Sequence, residues 1–145
     1  MSNVLAGIGR GQMMVLDERI EQKRSICEHY KNYFKTLEKK GYNIKIQSEP
    51  EGYFSNYWLT SILIEPSLNK GITREDLRLA LQQENIESRP LWKPMHMQPV
   101  FQNTDFYGNG TSEHLFDIGL CLPSDSKLTP SDFERIFEAM DGVFL

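Results

Sequence analysis

The order of apolar patterns along this chain predicts an α+β fold: a small, mostly antiparallel sheet covered by helices, with a long helix at the N-terminal end. Three observations carry the prediction. Met13, Leu16, Ile20, Cys27, Tyr30, Phe34 and Leu37 form one apolar stripe at helical spacing. Tyr57 to Ile64 is rich in aromatic and β-branched residues and has apolar groups on both faces, as a strand covered on both sides would. Thr73 and Thr129 each stand three residues before an aspartate, Asp76 and Asp132, which is the start signal of a capped helix.

Taken in order, the first helix is expected from about Ser2 to Lys40, with Gly41 as its C-cap. Gly7, Gly9 and Gly11 lie in its first turns. No strand precedes them and their spacing is wrong for a dinucleotide fingerprint, so they read as small residues for close packing. Each costs about 1 kcal/mol of helix stability, which points to a supporting partner surface. Tyr42 to Gln47 reads as a first strand, Glu49 to Ser55 as a turn-rich connection and Tyr57 to Ile64 as the second strand. After a loop from Pro66 to Gly71, the Thr73 signal starts a helix through Leu81. Ile86 to Arg89 reads as a short strand stopped by Pro90. Ser112 to Phe116 reads as a short helix capped by Thr111 or Ser112, and Leu120 to Leu122 as a last strand. Thr129-Pro130-Ser131-Asp132 opens the final helix, with Phe133, Ile136, Phe137 and Met140 on its apolar face.

The chain has 145 residues, enough for one domain that buries about 70% of its unfolded surface. Its net charge of -4 argues against a broad nucleic-acid surface. Cys27 and Cys121 show no pairing pattern, and no Cys or His pair has metal-ligand spacing. There is no secretory signal and no apolar run of membrane-spanning length, so a cytoplasmic chain without metal is expected.

One segment concentrates chemistry. Ser88-Arg89-Pro90-Leu91-Trp92-Lys93-Pro94-Met95-His96 holds two fixed cations, an indole and an imidazole between stiffening prolines. Arg89 offers a fork for phosphate or carboxylate, Lys93 a point charge, Trp92 a stacking face and His96 a donor or proton relay near neutral pH. A planar anion such as a nucleotide diphosphate suits that set. An ordinary surface loop, with Trp92 plugging the edge of the core, accounts for the same residues. Asp105 to Gly110 reads either as a flap over a ligand or as an exposed turn. His29 is expected to be solvated and His114 structural. No glycine-flanked serine, triad or activated lysine is present, so the chain offers a binding surface without a catalytic residue of its own.

Met1-Ser2-Asn3-Val4-Leu5-Ala6-Gly7-Ile8-Gly9-Arg10-Gly11-Gln12, followed by Leu16-Asp17-Glu18-Arg19-Ile20, resembles the helix that opens the C-terminal part of the DegT-type nucleotide-sugar aminotransferases. The segments Arg89 to His96, Gly119-Leu120-Cys121-Leu122-Pro123-Ser124 and Leu128-Thr129-Pro130 resemble that family in the same order, so the likeness covers essentially the whole chain. The Arg-Pro-Leu-Trp-Lys-Pro-Met-His form is most similar to members acting on UDP-linked 4-keto-6-deoxy sugars of the bacillosamine type.

That resemblance implies a fold-type I, pyridoxal-phosphate-dependent enzyme. A lysine in a large N-terminal domain holds the cofactor, glutamate gives the amino group, and a nucleotide-linked ketosugar receives it. Products of this kind serve cell-surface polysaccharide or glycan biosynthesis. Members are homodimers with active sites at the subunit interface. This chain begins where the family's large domain ends. It is therefore expected to be the small, C-terminal domain of such an enzyme over residues 1–145, inactive alone and binding no cofactor alone. The resemblance assigns substrate binding to Arg89, Trp92, Lys93 and His96 and places Ser2 and Asn3 near the cofactor of a neighbouring subunit. It carries over no catalytic residue. A sugar dehydratase, in which histidine replaces the cofactor lysine, and a free-standing nucleotide-sugar-binding or dimerisation module are the alternatives.

Overall fold

A computed structural model describes residues 2–145; Met1, the first residue of the Met-Ser motif, lies outside the described residues. Five helices and four strands follow one another as α1 (Asn3–Met13), α2 (Leu16–Glu38), β1 (Ile44–Ile46), β2 (Thr60–Ile64), α3 (Arg74–Gln83), β3 (Arg89–Pro90), α4 (Thr111–Ile118), β4 (Gly119–Leu122) and α5 (Pro130–Phe144). The strands make one sheet in the order β1-β2-β4-β3, antiparallel throughout. The α+β class and the antiparallel sheet read from the sequence are those of the structure.

The register explains how both faces are covered. Ile44 pairs with Ile64, Ile46 with Ile62, Ile62 with Leu120 and Thr60 with Leu122, so these side chains share one face. Tyr30, Phe34 and Leu37 of α2, Leu77 and Leu81 of α3, and Phe133, Ile136, Met140 and Phe144 of α5 close over that face as the main core. On the second face α4 packs against β2 and β4, with Leu115 and Ile118 beside Leu63. Asn69 is fully buried and spends its amide locally. Its Oδ1 accepts from the Asn43 N–H, and its Nδ2 donates to the Asn43 and Glu65 carbonyls. The buried amide thereby ties the start of β1 to the loop after β2.

The long N-terminal helix is two helices. The run breaks between Met13 and Leu16, where Val15 leaves helical geometry at φ -114 and ψ 8. The apolar stripe is buried only from Cys27 onward; Met13 is 67% exposed, and α1 buries no residue. With no core beneath α1, nothing offsets its three glycines or forces one straight rod.

Strand ends also shift from the sequence reading. β2 begins at Thr60 because Tyr57 turns into the left-handed region at φ 45. β3 is Arg89–Pro90, and Pro90 is part of the strand. β3 is the sheet edge beyond β4, where a residue without an N–H is tolerated. α4 is capped by Gly110 at φ 81, not by Thr111 or Ser112; Asn109 Oδ1 accepts from the Thr111 N–H and hydroxyl one residue earlier.

The two threonine starts are capping boxes in the structure. Thr73 Oγ1 accepts from the Asp76 N–H while Asp76 accepts from the Thr73 N–H, and Thr129 and Asp132 repeat the exchange. In each pair the threonine hydroxyl first, then its N–H, holds the aspartate below the usual carboxylate range. A depressed folded value contributes stability above the unfolded value of about 3.9 and loses it as pH falls through the folded value. Urea midpoints should therefore drop on acidification below about pH 4. A chain carrying Asp76→Ala and Asp132→Ala should start less stable at neutral pH and lose less over the same range. Parallel pH profiles for the two chains would contradict this assignment.

Candidate functional site

β3 and β4 build the site from the sheet edge outward. Arg89 pairs with Cys121 and Pro90 with Leu120, and the Leu91 N–H continues the ladder by donating to the Gly119 carbonyl at 3.2 Å. Gly119 lets Leu91 sit flat on β4: a Cβ there would lie 2.2 Å from Leu91 Cδ1 and 2.4 Å from the Leu115 carbonyl oxygen. Its backbone is ordinary extended chain, so close approach, not conformation, demands the glycine. Leu91 is thus fixed, and Trp92 leaves the sheet from a rigid base.

Between this segment and the end of β4 lies a cavity of about 630 Å³, bordered by Trp58, Glu87 to Trp92 and Cys121 to Ser124. Its far wall, Pro123 and Ser124, is pinned from three directions. Tyr30 of α2 donates its hydroxyl to the Pro123 carbonyl at 2.8 Å. The Lys23 ammonium donates to the Ser124 carbonyl. Ser124 Oγ accepts from the Thr60 N–H and donates to the Leu122 carbonyl, both at 2.9 Å. Burial pushes the Tyr30 phenol well above its ordinary value, so it stays a neutral donor across the physiological range.

The residues singled out in the sequence divide into two groups. Arg89 and Trp92 border the cavity; Lys93 and His96 do not. The Arg89 guanidinium is paired with Glu87, at 2.7 Å through Nε and 2.5 Å through Nη2, and both side chains are more than 70% exposed. An exposed pair of this kind is worth less than about 1 kcal/mol, so an incoming anion can displace the carboxylate. Lys93 is exposed beside the cavity. His96 lies on a single 3₁₀ turn, Met95–Met97, with Nε2 bonded to Glu113 Oε1 at 2.7 Å. The Phe106 ring stacks on it at 3.6 Å and 19°. The Asp105-to-Gly110 loop is therefore packed onto His96 through Phe106, and a Cβ at Gly108 would displace that ring, falling 2.2 Å from Phe106 Cζ. Glu113 is held below the ordinary carboxylate range by its own N–H, then by Ser112 and His96. Ser2 is the N-cap of α1, accepting from the Leu5 N–H at 3.3 Å, and Asn3 is the first, exposed residue of that helix.

Neither of the other histidines reaches the cavity. His29 is exposed, as expected, and stacks on Phe133 at 4.6 Å; His114 faces Glu65 at 3.6 Å. Among the described residues, no group of three or more His, Cys, Asp or Glu is gathered to hold a metal, and no helix is long and apolar enough to cross a membrane.

Sequence reasoning missed Trp58 and Glu87. An uninterrupted strand from Tyr57 puts Trp58 on the core face beside Ile62 and Ile64. Instead it is 62% exposed, with its ring centroid 6.1 Å from that of Trp92. The signal was Ser55-Asn56. Asn56 Oδ1 accepts from the Trp58 N–H and Ser55 Oγ from the Tyr57 N–H, a turn that ends the alternation before Thr60. Arg24 and Lys31 then cover the Tyr57 ring at 5.3 and 5.1 Å.

Residues 1–141 match the DegT/DnrJ/EryC1/StrS aminotransferase family. The chain is 39% identical over 148 residues to EpsN of Bacillus subtilis (strain 168), assigned as a pyridoxal phosphate-dependent aminotransferase; the match covers 99% of this chain and 36% of that protein. It is 30% identical to the GDP-perosamine synthase of Vibrio cholerae, covering 99% of this chain and 38% of the synthase. In fold it is similar to DesI, whose crystal structure was determined in the presence of its TDP-sugar product, at a TM-score of 0.81 and 20% identity over 98% of this chain and 36% of that one. The chain thus spans little more than a third of the length of these proteins.

Proposed function

The chain belongs to the DegT/DnrJ/EryC1/StrS aminotransferase family, and from that premise we propose that it is the C-terminal, substrate-side domain of a pyridoxal-phosphate-dependent sugar aminotransferase. The substrate we assign is a nucleotide-linked 4-keto-6-deoxy sugar, UDP-linked on the form of the Arg89-to-His96 segment. The reaction converts it to an aminosugar with an amino acid as donor, for cell-surface glycan synthesis, in a homodimeric assembly. One observation supports this reading above the rest. The matched family segments around Arg89 and Gly119 meet in space as the two walls of one cavity, with a guanidinium and two indoles at its mouth.

We assign the covalent hold on the cofactor to the N-terminal part of the enzyme. No lysine borders the cavity, so it lacks the amine that would hold pyridoxal phosphate covalently. The Lys23 ammonium is committed to the Ser124 carbonyl. The chemistry assigned to this chain is therefore substrate binding. Arg89 exchanges Glu87 for the diphosphate, whose oxygens match its planar fork. Pro90 and Pro94 limit backbone freedom around Trp92, and the pinned Pro123–Ser124 wall keeps the opposite side in place. Lys93 adds positive charge at the rim. His96 is bonded to Glu113 and steadies the loop that follows.

Reconstitution tests the proposal. The chain is co-expressed with the remaining N-terminal part of the Bacillus subtilis relative and assayed with glutamate and a UDP-linked 4-ketosugar. Amino transfer that requires both parts is the expected result. Transfer by this chain alone with added cofactor would overturn it, as would loss of the sugar hydroxyl without amino transfer, the outcome of a dehydratase. A GDP- or TDP-linked substrate used in place of the UDP-linked one would correct the nucleotide alone.

A further inference from the structure

We propose that Trp58 is a ligand-binding residue, forming with Trp92 the stacking platform for the base of the nucleoside diphosphate whose phosphates Arg89 receives. The inference rests on the cavity being the nucleotide-sugar site. Its own support is geometric. Trp58 and Trp92 are 62% and 67% exposed, and they stand side by side at 6.1 Å and 37°. They come from different segments that border the cavity, Trp58 from the turn before β2 and Trp92 from the segment after β3.

The turn that aims Trp58 carries strain. Tyr57 sits at φ 45 without being glycine or asparagine. Such a conformation costs on the order of 1–3 kcal/mol and persists where the surroundings over-determine it. Here Tyr57 is buried beneath Arg24 and Lys31, and Arg24 is fixed in turn by Glu49 at 2.7 Å and the Ser55 carbonyl. A regular strand would have relieved the strain and pointed the indole at the core.

The spacing selects how a ring binds. Sandwiching a base between two indoles needs about 7 Å, twice the contact distance of stacked carbons. At 6.1 Å and 37° the pair leaves no parallel gap of that width, so the base lies on its open face. Leu59, Pro90, Leu91 and Pro123 border the cavity with no side-chain hydrogen-bonding group. A planar base is satisfied by a π face, whereas the hydroxyls of a sugar are not. Polar recognition of the phosphates is left to Arg89. Stacking accepts any base, so the platform supplies affinity and does not choose between uracil and guanine.

The chain contains two tryptophans, and both are in the pair, so its entire indole emission reports on this site. UDP titrated into the whole chain is expected to quench that emission saturably. Trp58→Ala, with binding followed by calorimetry, is expected to weaken UDP and GDP on the order of tenfold and Trp58→Phe to retain most of the affinity. Inorganic pyrophosphate should bind wild type and Trp58→Ala alike. Unchanged UDP affinity in Trp58→Ala would sink the platform and leave the site standing. An equal loss for pyrophosphate would make Trp58 a scaffold residue and overturn the proposal. Emission that follows protein concentration without nucleotide would make the pair a contact between chains and also overturn it. Failure of wild type to bind UDP, GDP or pyrophosphate would take down the site reading and the platform together.

Discussion

Gly119→Ala is expected to destabilise the chain by about 3 kcal/mol or more, the upper part of the range for overpacking a dense interior. The new methyl meets Leu91 Cδ1 at 2.2 Å and the Leu115 carbonyl oxygen at 2.4 Å. A leucine tip can rotate away; a backbone carbonyl in α4 cannot do so without moving the helix. For a domain of this size the loss corresponds to a fall in Tm of about 6–12 °C by calorimetry or circular dichroism. The effect should reach function as well. Leu91 is the residue whose seat on β4 orients Trp92, so surviving folded protein should also bind nucleotide less well. A Tm within a degree of wild type would contradict the packing described around β4.

Arg89→Ala is expected to weaken nucleoside diphosphate binding about 10- to 100-fold, the worth of charge-assisted hydrogen bonds to one guanidinium. Arg89 is on the exposed edge strand, so the fold should be unaffected. Glu87→Gln should act in the opposite direction. It removes the carboxylate that competes for Arg89 and should tighten binding about two- to fivefold, since the pair it dissolves is worth less than about 1 kcal/mol. Raising salt should reduce both the affinity and the difference between the two variants. If Glu87→Gln weakens binding, the carboxylate positions Arg89 and does not compete with the ligand.

What the sequence could reveal followed the reach of each physical signal. Capping is local, and Thr73, Asp76, Thr129 and Asp132 declared their helices from residue types alone. Burial on a regular face is periodic, and Tyr30, Phe34 and Leu37 were found that way. The stripe failed at Met13, because periodicity shows that a helix has an apolar face and not whether anything covers it. α1 has the pattern and buries no residue. Trp58 failed for a different reason. One left-handed residue, Tyr57, inverted the alternation on which its assignment depended, and the only local signal was the Ser55-Asn56 turn before it, which the apolar run outweighed.

The lining of the cavity was half legible. Arg89 and Trp92 were marked by their company in one rigid segment. Glu87, two residues before Arg89, is a local partner that residue types alone did not single out, and Trp58 became visible only when antiparallel pairing of β3, β4 and β2 brought the segments together. His96 shares the segment and offers a donor or proton relay by residue type; a turn at Met95–Met97 places it against Glu113 and Phe106, contacts 17 and 10 residues away in sequence that no motif announces.

The central claim is that the cavity between the Arg89 segment and the Pro123–Ser124 wall receives the nucleoside diphosphate part of a sugar nucleotide. Isothermal titration of the whole chain with UDP, beside the same titration of Arg89→Ala, tests it most directly. Saturable binding at one site per chain, weakened at least about tenfold by the substitution, is the expected result. No binding by a folded wild-type chain, or equal affinity in the two proteins, would contradict it.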